Sequence, residues 1–241
     1  MHYYRHDLAL VHDRGFAFHA DRCAPGIVSL LSAVRDGVVV EVGCGSGALT
    51  RHLLAAGYRV IATDASPDML ALARAALGPD ADLRQITLPD EPLPAADAIV
   101  SVGHVISYLP SAAAIDRAVV AMAGALRPGG VLAFDVLDLA FGEIRPGAES
   151  SGRVAEDWAI VTRYSAPSPE VYVRDITTFV ADGHGSWRRG DERHENVLID
   201  TSRLPGLLAE HDVDASVRPS FGTERLPPGL RVVVGSKHVR R

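Results

Sequence analysis

The segment VVVEVGCGSGALTRHLLAAG, residues 38–57, constrains this chain more than any other. It opens with an apolar run broken only by Glu41, the pattern of a strand buried on both faces. It continues as a helix ended by Gly57. Between them stand Gly43, Gly45 and Gly47. Glycine at a strand-to-helix turn permits positive φ and lets backbone approach a ligand closely. Open α/β sheets bind ligands at such carboxyl strand ends. Residues 43–48, GCGSGA, also fit the dinucleotide fingerprint G-x-G-x-x-[G/A], so the loop by itself leaves two cofactor classes open.

After Gly57 the strand–helix alternation repeats. YRVIATD (58–64) reads as a second strand ending in Asp64. Ser66 offers an N-cap with Pro67 at the first helical position. Met69, Leu72, Ala73, Ala76 and Leu77 then form a helical stripe. Residues 83–86 and 98–102 read as third and fourth strands. A helix over 111–126 buries Ile115, Val119, Met122 and Leu126. The run LRPGG (126–130) reads as a turn into a fifth strand, VLAFDVLD. Alternation of this kind implies parallel strands with right-handed crossovers, hence an open, doubly wound α/β sheet. Ahead of it, residues 1–36 form a helical lead-in with Ile27, Leu30, Leu31 and Val34 at helical spacing. Behind it, DWAIVTRYS, EVYVRDITTFVA and SWRRGDERHENVLID read as strands of an antiparallel meander with short turns. Thr201 or Ser202 would cap a helix holding Leu204, Leu207 and Leu208. Two last strands, VDASVRP and LRVVVGSKH, flank a Gly/Pro-rich loop.

Composition narrows the classes. At 241 residues, 47% hydrophobic and 22% charged, the chain is an ordinary globular domain. The most apolar long stretch, 112–126, contains Asp116 and Arg117 and falls short of the ~20 residues of a membrane span. The N-terminal residues lack an apolar signal core, so the expectation is a cytoplasmic protein without a membrane partner. Two cysteines, Cys23 and Cys44, exclude a disulfide scaffold and a cysteine-only zinc site. No H-E-x-x-H is present, and His184 and His194 have no ligand-spaced partners, so no metal is expected. GCGSG also lacks the G-x-S-x-G elbow of hydrolases. The formal charge of −6 makes nucleic acid an unlikely partner.

Four features separate the two cofactor readings. They are the lead-in before the first strand, Glu41 two residues ahead of the first glycine, the LRPGG run, and the closing strand pair. With E-x-G-x-G-x-G at Glu41, Gly43, Gly45 and Gly47, and TDASPDML with Asp64, the chain resembles the class I S-adenosylmethionine-dependent methyltransferase superfamily. The resemblance covers residues 38–137 and, more loosely, 201–237. It is greatest to small-molecule enzymes with a helical lid and an antiparallel β insertion. It implies a Rossmann-like seven-stranded sheet in the order 3-2-1-4-5-7-6 with strand 7 antiparallel. A single domain would then comprise a lid (1–36), a cofactor-binding core (37–138), an antiparallel insertion (139–200) and a closing helix and hairpin (201–241).

The implied cofactor is S-adenosyl-L-methionine. Gly43, Cys44, Gly45 and Gly47 would bind its methionine end, with Glu41 ordering the loop or reaching the amino group through water. Asp64 would accept from both ribose hydroxyls. Ala65 and Met69 would flank the adenine, although Met69 also reads as ordinary helix packing. An acidic residue that often reads the adenine amino group is absent at Gln85–Thr87, which leaves Thr87 or the backbone up to Leu88 for that contact. Gly103, after the fourth strand, would also border the cofactor.

Methyl transfer from a sulfonium is an in-line displacement that depends on positioning. It needs a general base only where the acceptor must lose a proton. His104, at the end of the fourth strand, is the first candidate catalytic residue, or else a polar residue hydrogen-bonded at a strand end. His194 is the second, or else lies on a solvated strand face. Tyr4, His12 and Tyr108 either close over the acceptor or serve in packing. The expected function is methyl transfer to N or O of a small molecule by a monomer or homodimer. The alternatives are an NAD-dependent oxidoreductase and a non-catalytic cofactor-binding or interaction domain.

Overall fold

The computed structural model describes residues 3–144 and 150–239. Helices α1 (His6–Phe16) and α2 (Phe18–Leu30) come first. Strands β1 (Val38–Val42), β2 (Arg59–Asp64), β3 (Asp82–Gln85), β4 (Ala96–Ser101) and β5 (Leu126–Leu137) come next, with helices α3 (Ala48–Ala55), α4 (Pro67–Leu77) and α5 (Ala112–Ala125) among them. Helix α6 (Leu139–Ile144) precedes β6 (Ser150–Val154), β7 (Trp158–Ser168), β8 (Val171–Ala181) and β9 (Trp187–Val197). Helix α7 (Leu204–Ala209), β10 (Val213–Arg218) and β11 (Leu230–Lys237) come last.

The larger sheet runs β10-β11-β5-β4-β1-β2-β3. Strand β11 lies antiparallel to both β5 and β10, and the remaining neighbours are parallel. Counted within this sheet alone, the order is the expected 3-2-1-4-5-7-6. The β-branched runs explain why it forms. Neighbouring residues in a strand point to opposite faces, and here both faces are covered. Val39, Val100, Ala133 and Val232 pack with Ile27, Leu31 and Leu53 on one side. Val40, Ile99, Leu132 and Val233 pack with Ile115, Val119 and Leu208 on the other. Ser66 caps α4, its Oγ accepting from Met69 N at 3.2 Å, and Ser111 caps α5 in the same way.

The second sheet, β6-β7-β8-β9, is an antiparallel meander. One half of its inner face is apolar. There Trp158, Ile160, Ile176 and Val180 close on Leu8 and Val11 of α1. Among the described residues no helix is long and apolar enough to cross a membrane.

Some local expectations need correction. The LRPGG run is the irregular start of β5, not a separate turn. Leu126 already pairs with Ala96, and the register then shifts before Ala98 meets Val131, with Gly129 at φ 79° between. The cap near residue 201 is Asp200, whose Oδ1 accepts from Ser202 N and Oγ. Thr201 is occupied elsewhere, its Oγ1 donating to Asp138 Oδ2 at 2.5 Å. Strand β6 was not legible because its SSGRV lies entirely exposed and lacks an apolar face. Arg240 and Arg241 of the C-terminal basic tag lie outside the described residues.

Candidate active site

Where the strand order reverses, between β1 and β4, an open parallel sheet forms a crevice at its carboxyl edge. The glycine loop leaves β1 on one side of that crevice, and Gly103 and His104 leave β4 on the other. Gly43, Gly45 and Gly47 all take positive φ. At Gly43 a Cβ would lie 2.4 Å from Val105 Cγ2, so the loop is pressed against the chain after β4. At Gly45 a Cβ would meet only Met69 Sδ, at 3.9 Å. The backbone there is open to a ligand on the Met69 side, while Met69 itself is buried in α4.

Asp64 closes this edge. Its Oδ2 accepts from Gly45 N and its Oδ1 from Ser66 N, both at 2.8 Å. A carboxylate has about four acceptor positions, so two backbone bonds leave room for ligand hydroxyls. Burial raises the Asp64 pKa against the lowering effect of those backbone bonds. Glu41 lies beneath the loop, buried, and accepts from Thr50 Oγ1 at 2.6 Å. Burial pushes its carboxyl up to about 8, so it is largely protonated at neutral pH. Cys44 is buried beside it, and its backbone N–H donates to Thr63 O at 2.9 Å. Ala65 is exposed, and its carbonyl accepts from Gln85 Nε2.

Beyond β3, Thr87 is exposed and Leu88 half-buried. Glu91 folds back so that its Oε2 accepts from Thr87 N at 2.5 Å. The Glu91 carboxylate is therefore brought to Thr87, within the stretch where the sequence lacks an acid.

A residue the sequence did not single out organises the other side of the crevice. Asp135 of β5 is fully buried. Its Oδ2 accepts from Gly103 N at 3.1 Å and its Oδ1 from His104 N at 2.6 Å. His19 Nε2 lies 3.2 Å from the same carboxylate. The signal was an acid inside the otherwise apolar VLAFDVL, since a buried charge needs partners. Asp135 holds His104 in the left-handed conformation, at φ 49°.

His104 stands in a cluster of side chains drawn from three parts of the chain. Its ring stacks on Tyr108 at 5.8 Å between centroids. Tyr108 Oη lies 2.8 Å from Tyr4 Oη. Tyr4 packs edge-on to both His12 and His194 at 4.9 Å. His194 is fully buried, which excludes a solvated strand face. Its Nε2 pairs with Glu192 Oε2 at 2.9 Å. Arg174 of β8 reaches in and donates to Tyr108 Oη. Burial, then the Arg174 charge, lowers the pKa of His104 well below its usual value and that of His12 to about 4. Burial also lowers His194. All three imidazoles are neutral at neutral pH.

Glu192 also fastens the entrance. Its Oε2 accepts from Tyr4 N and its Oε1 from Arg5 N, each at 2.9 Å. On the opposite side, Ser66 Oγ donates to Tyr4 O at 3.0 Å. The N-terminal segment thus bridges the inserted sheet and the Asp64 corner.

The sheet order, the glycine loop and the closing antiparallel strand define the class I S-adenosylmethionine-dependent methyltransferase fold. Within it, residues 39–130 match the family model described as a methyltransferase domain. A Bacillus subtilis (strain 168) protein with the provisional name methyltransferase YqeM is 27% identical over 212 residues, covering 81% of this chain and 84% of that one. Among solved structures, an S-adenosylmethionine-dependent methyltransferase from Clostridium acetobutylicum superposes with a TM-score of 0.80 at 17% identity, covering 95% of this chain and 97% of that one. CalS10 from Micromonospora echinaspora, an amino pentose methyltransferase solved with the cofactor bound, gives 0.74 at 23% identity over 98% of both chains.

Proposed function

We propose that this protein is an S-adenosyl-L-methionine-dependent methyltransferase acting on N or O of a small molecule. One juxtaposition carries the reading. The open glycine loop and Asp64 lie across the sheet's switch point from a cluster of His104, Tyr108 and His194. The residues suit the cofactor. Gly45 leaves space beside Met69, and Asp64 keeps acceptor positions after its two backbone bonds. When bound, the cofactor supplies a methyl group on a sulfonium, displaced in line with a neutral leaving group.

The chain's own part is to bind, orient and exclude water. Gly43–Gly47 and Asp64 fix the donor side. Tyr4, Tyr108 and His194 enclose the acceptor, and alignment of reacting atoms is the main source of rate. Burial and the Arg174 charge disfavour cations at this cluster. An amine acceptor would there be held unprotonated, with its lone pair free to attack. The same environment makes the His104 imidazole a weak base, so its part is to hydrogen-bond and orient the acceptor. The amino pentose activity in CalS10's name supports a small-molecule acceptor of this kind. In this reading the whole chain is one methyltransferase domain, with residues 1–36 as lid and 139–200 as acceptor-side insertion.

Calorimetry with S-adenosylhomocysteine and with NADH tests the cofactor assignment. The expected result is binding of the first and not the second. Binding of NADH alone would overturn it.

A further inference from the structure

The inserted sheet turns its polar half toward the His104–Tyr108 cluster, and several buried groups there lack partners. Arg174 lies opposite His194 in the β8–β9 ladder, and Tyr172 lies opposite Asn196 two positions along. Residues two apart in a strand share a face. Among the described residues, Arg174 Nε, His194 Nδ1 and both amide atoms of Asn196 are buried without a hydrogen-bond partner. Buried polar atoms are normally satisfied, and clustered exceptions call for an explanation.

Arg174 is the strongest of these. Arg188, Arg189 and Arg193 of the same sheet pair with Asp7, Asp191 and Asp175. Arg174 has only tyrosine hydroxyls at its guanidinium, those of Tyr108 and Tyr4, and no carboxylate within ion-pair distance among the described residues. An arginine side chain stays charged, and a buried charge is costly without an opposite one. The fork of a guanidinium matches carboxylate and phosphate geometry.

We propose that Arg174 receives an anionic group of the methyl acceptor, a carboxylate or a phosphate, with Asn196 and His194 Nδ1 hydrogen-bonding polar groups beside it. The acceptor class is then a small polar anion whose reactive N or O lies on the His104 side. This rests on the methyltransferase reading of the same site.

The test titrates the wild-type protein, with and without S-adenosylhomocysteine, against acetate and inorganic phosphate at constant ionic strength. The readouts are the arginine Nε–H resonances and the thermal midpoint. One buried Nε–H resonance, missing from Arg174→Met, should shift, and the anion that shifts it distinguishes carboxylate from phosphate. Arg174→Met should weaken that binding about ten- to hundredfold, as expected for lost hydrogen bonds to a charged group. If Arg174→Met does not fold, Arg174→Gln takes its place and should show the same loss. Wild-type resonances unmoved by either anion, or anion affinity unchanged in the folded variant, would overturn the proposal. Anion binding without any S-adenosylhomocysteine binding would instead overturn the cofactor reading and leave Arg174 as an anion site.

Discussion

At the residue scale, two carboxylates of the same edge do opposite things. Asp64 is tied to the backbone N–H groups of Gly45 and Ser66 and is proposed to meet the cofactor ribose, whereas Glu41 is sealed below the loop. Asp64→Ala should remove one or two charge-assisted bonds, each about 1.5–3 kcal/mol. Calorimetry should show S-adenosylhomocysteine binding at least about tenfold weaker, and unchanged affinity would remove Asp64 from the site. Glu41 makes a prediction in pH. Its folded pKa is raised, so its contribution to stability is complete below its unfolded value of about 4.5 and is lost as pH rises through about 8. Without ligand, the thermal midpoint of the wild type should fall across that window. Glu41→Gln, which cannot ionise, should flatten the fall. Both residues were legible as members of a motif. Asp135 and Arg174 were not, because their roles depend on which strands become neighbours. Nothing in their local sequence spacing records that the Asp135 carboxylate would meet the Gly103–His104 backbone or that the Arg174 guanidinium would meet Tyr108.

At the element scale, the N-terminal segment is held by packing along α1 and by hydrogen bonds at Tyr4 and Arg5. Leu8 is buried against the inserted sheet. Leu8→Ala should destabilise by about 2–5 kcal/mol, read by denaturant unfolding. Glu192→Ala should act more locally. It removes the acceptor of two backbone N–H groups and the partner of His194. Faster hydrogen exchange at residues 4 and 5, with the central sheet unchanged, is the expected result. Protection equal to wild type would show that α1 packing alone holds the N-terminal segment. The helical lead-in and most of the meander were readable from periodicity, since α1, α2, β7 and β8 each carry an apolar face. Their docking was not readable, because Glu192 sits in a charged run, GDERHENV, that looks solvent-facing when taken alone.

For the whole molecule, the division of labour follows the sheets. The seven-stranded sheet was legible nearly complete, since strands buried on both faces leave continuous apolar runs and their carboxyl ends must carry the ligand loop. The histidine–tyrosine cluster was legible only in part. His104 comes directly after a strand end and could be placed, while Tyr4, His12, Arg174 and His194 come from segments that are far apart in sequence and meet only through the insertion. The formal charge of −6 fits this picture. In the proposed reading, a site behind the N-terminal segment takes a small molecule and not a long nucleic acid. The most direct measurement is transfer of tritium from methyl-labelled S-adenosylmethionine into a metabolite extract incubated with the wild-type protein and with Asp64→Ala. The account predicts label in the small-molecule fraction with the wild type and a large loss with the variant. Label confined to nucleic acid or protein, or no transfer from a wild type that binds S-adenosylhomocysteine, would contradict it.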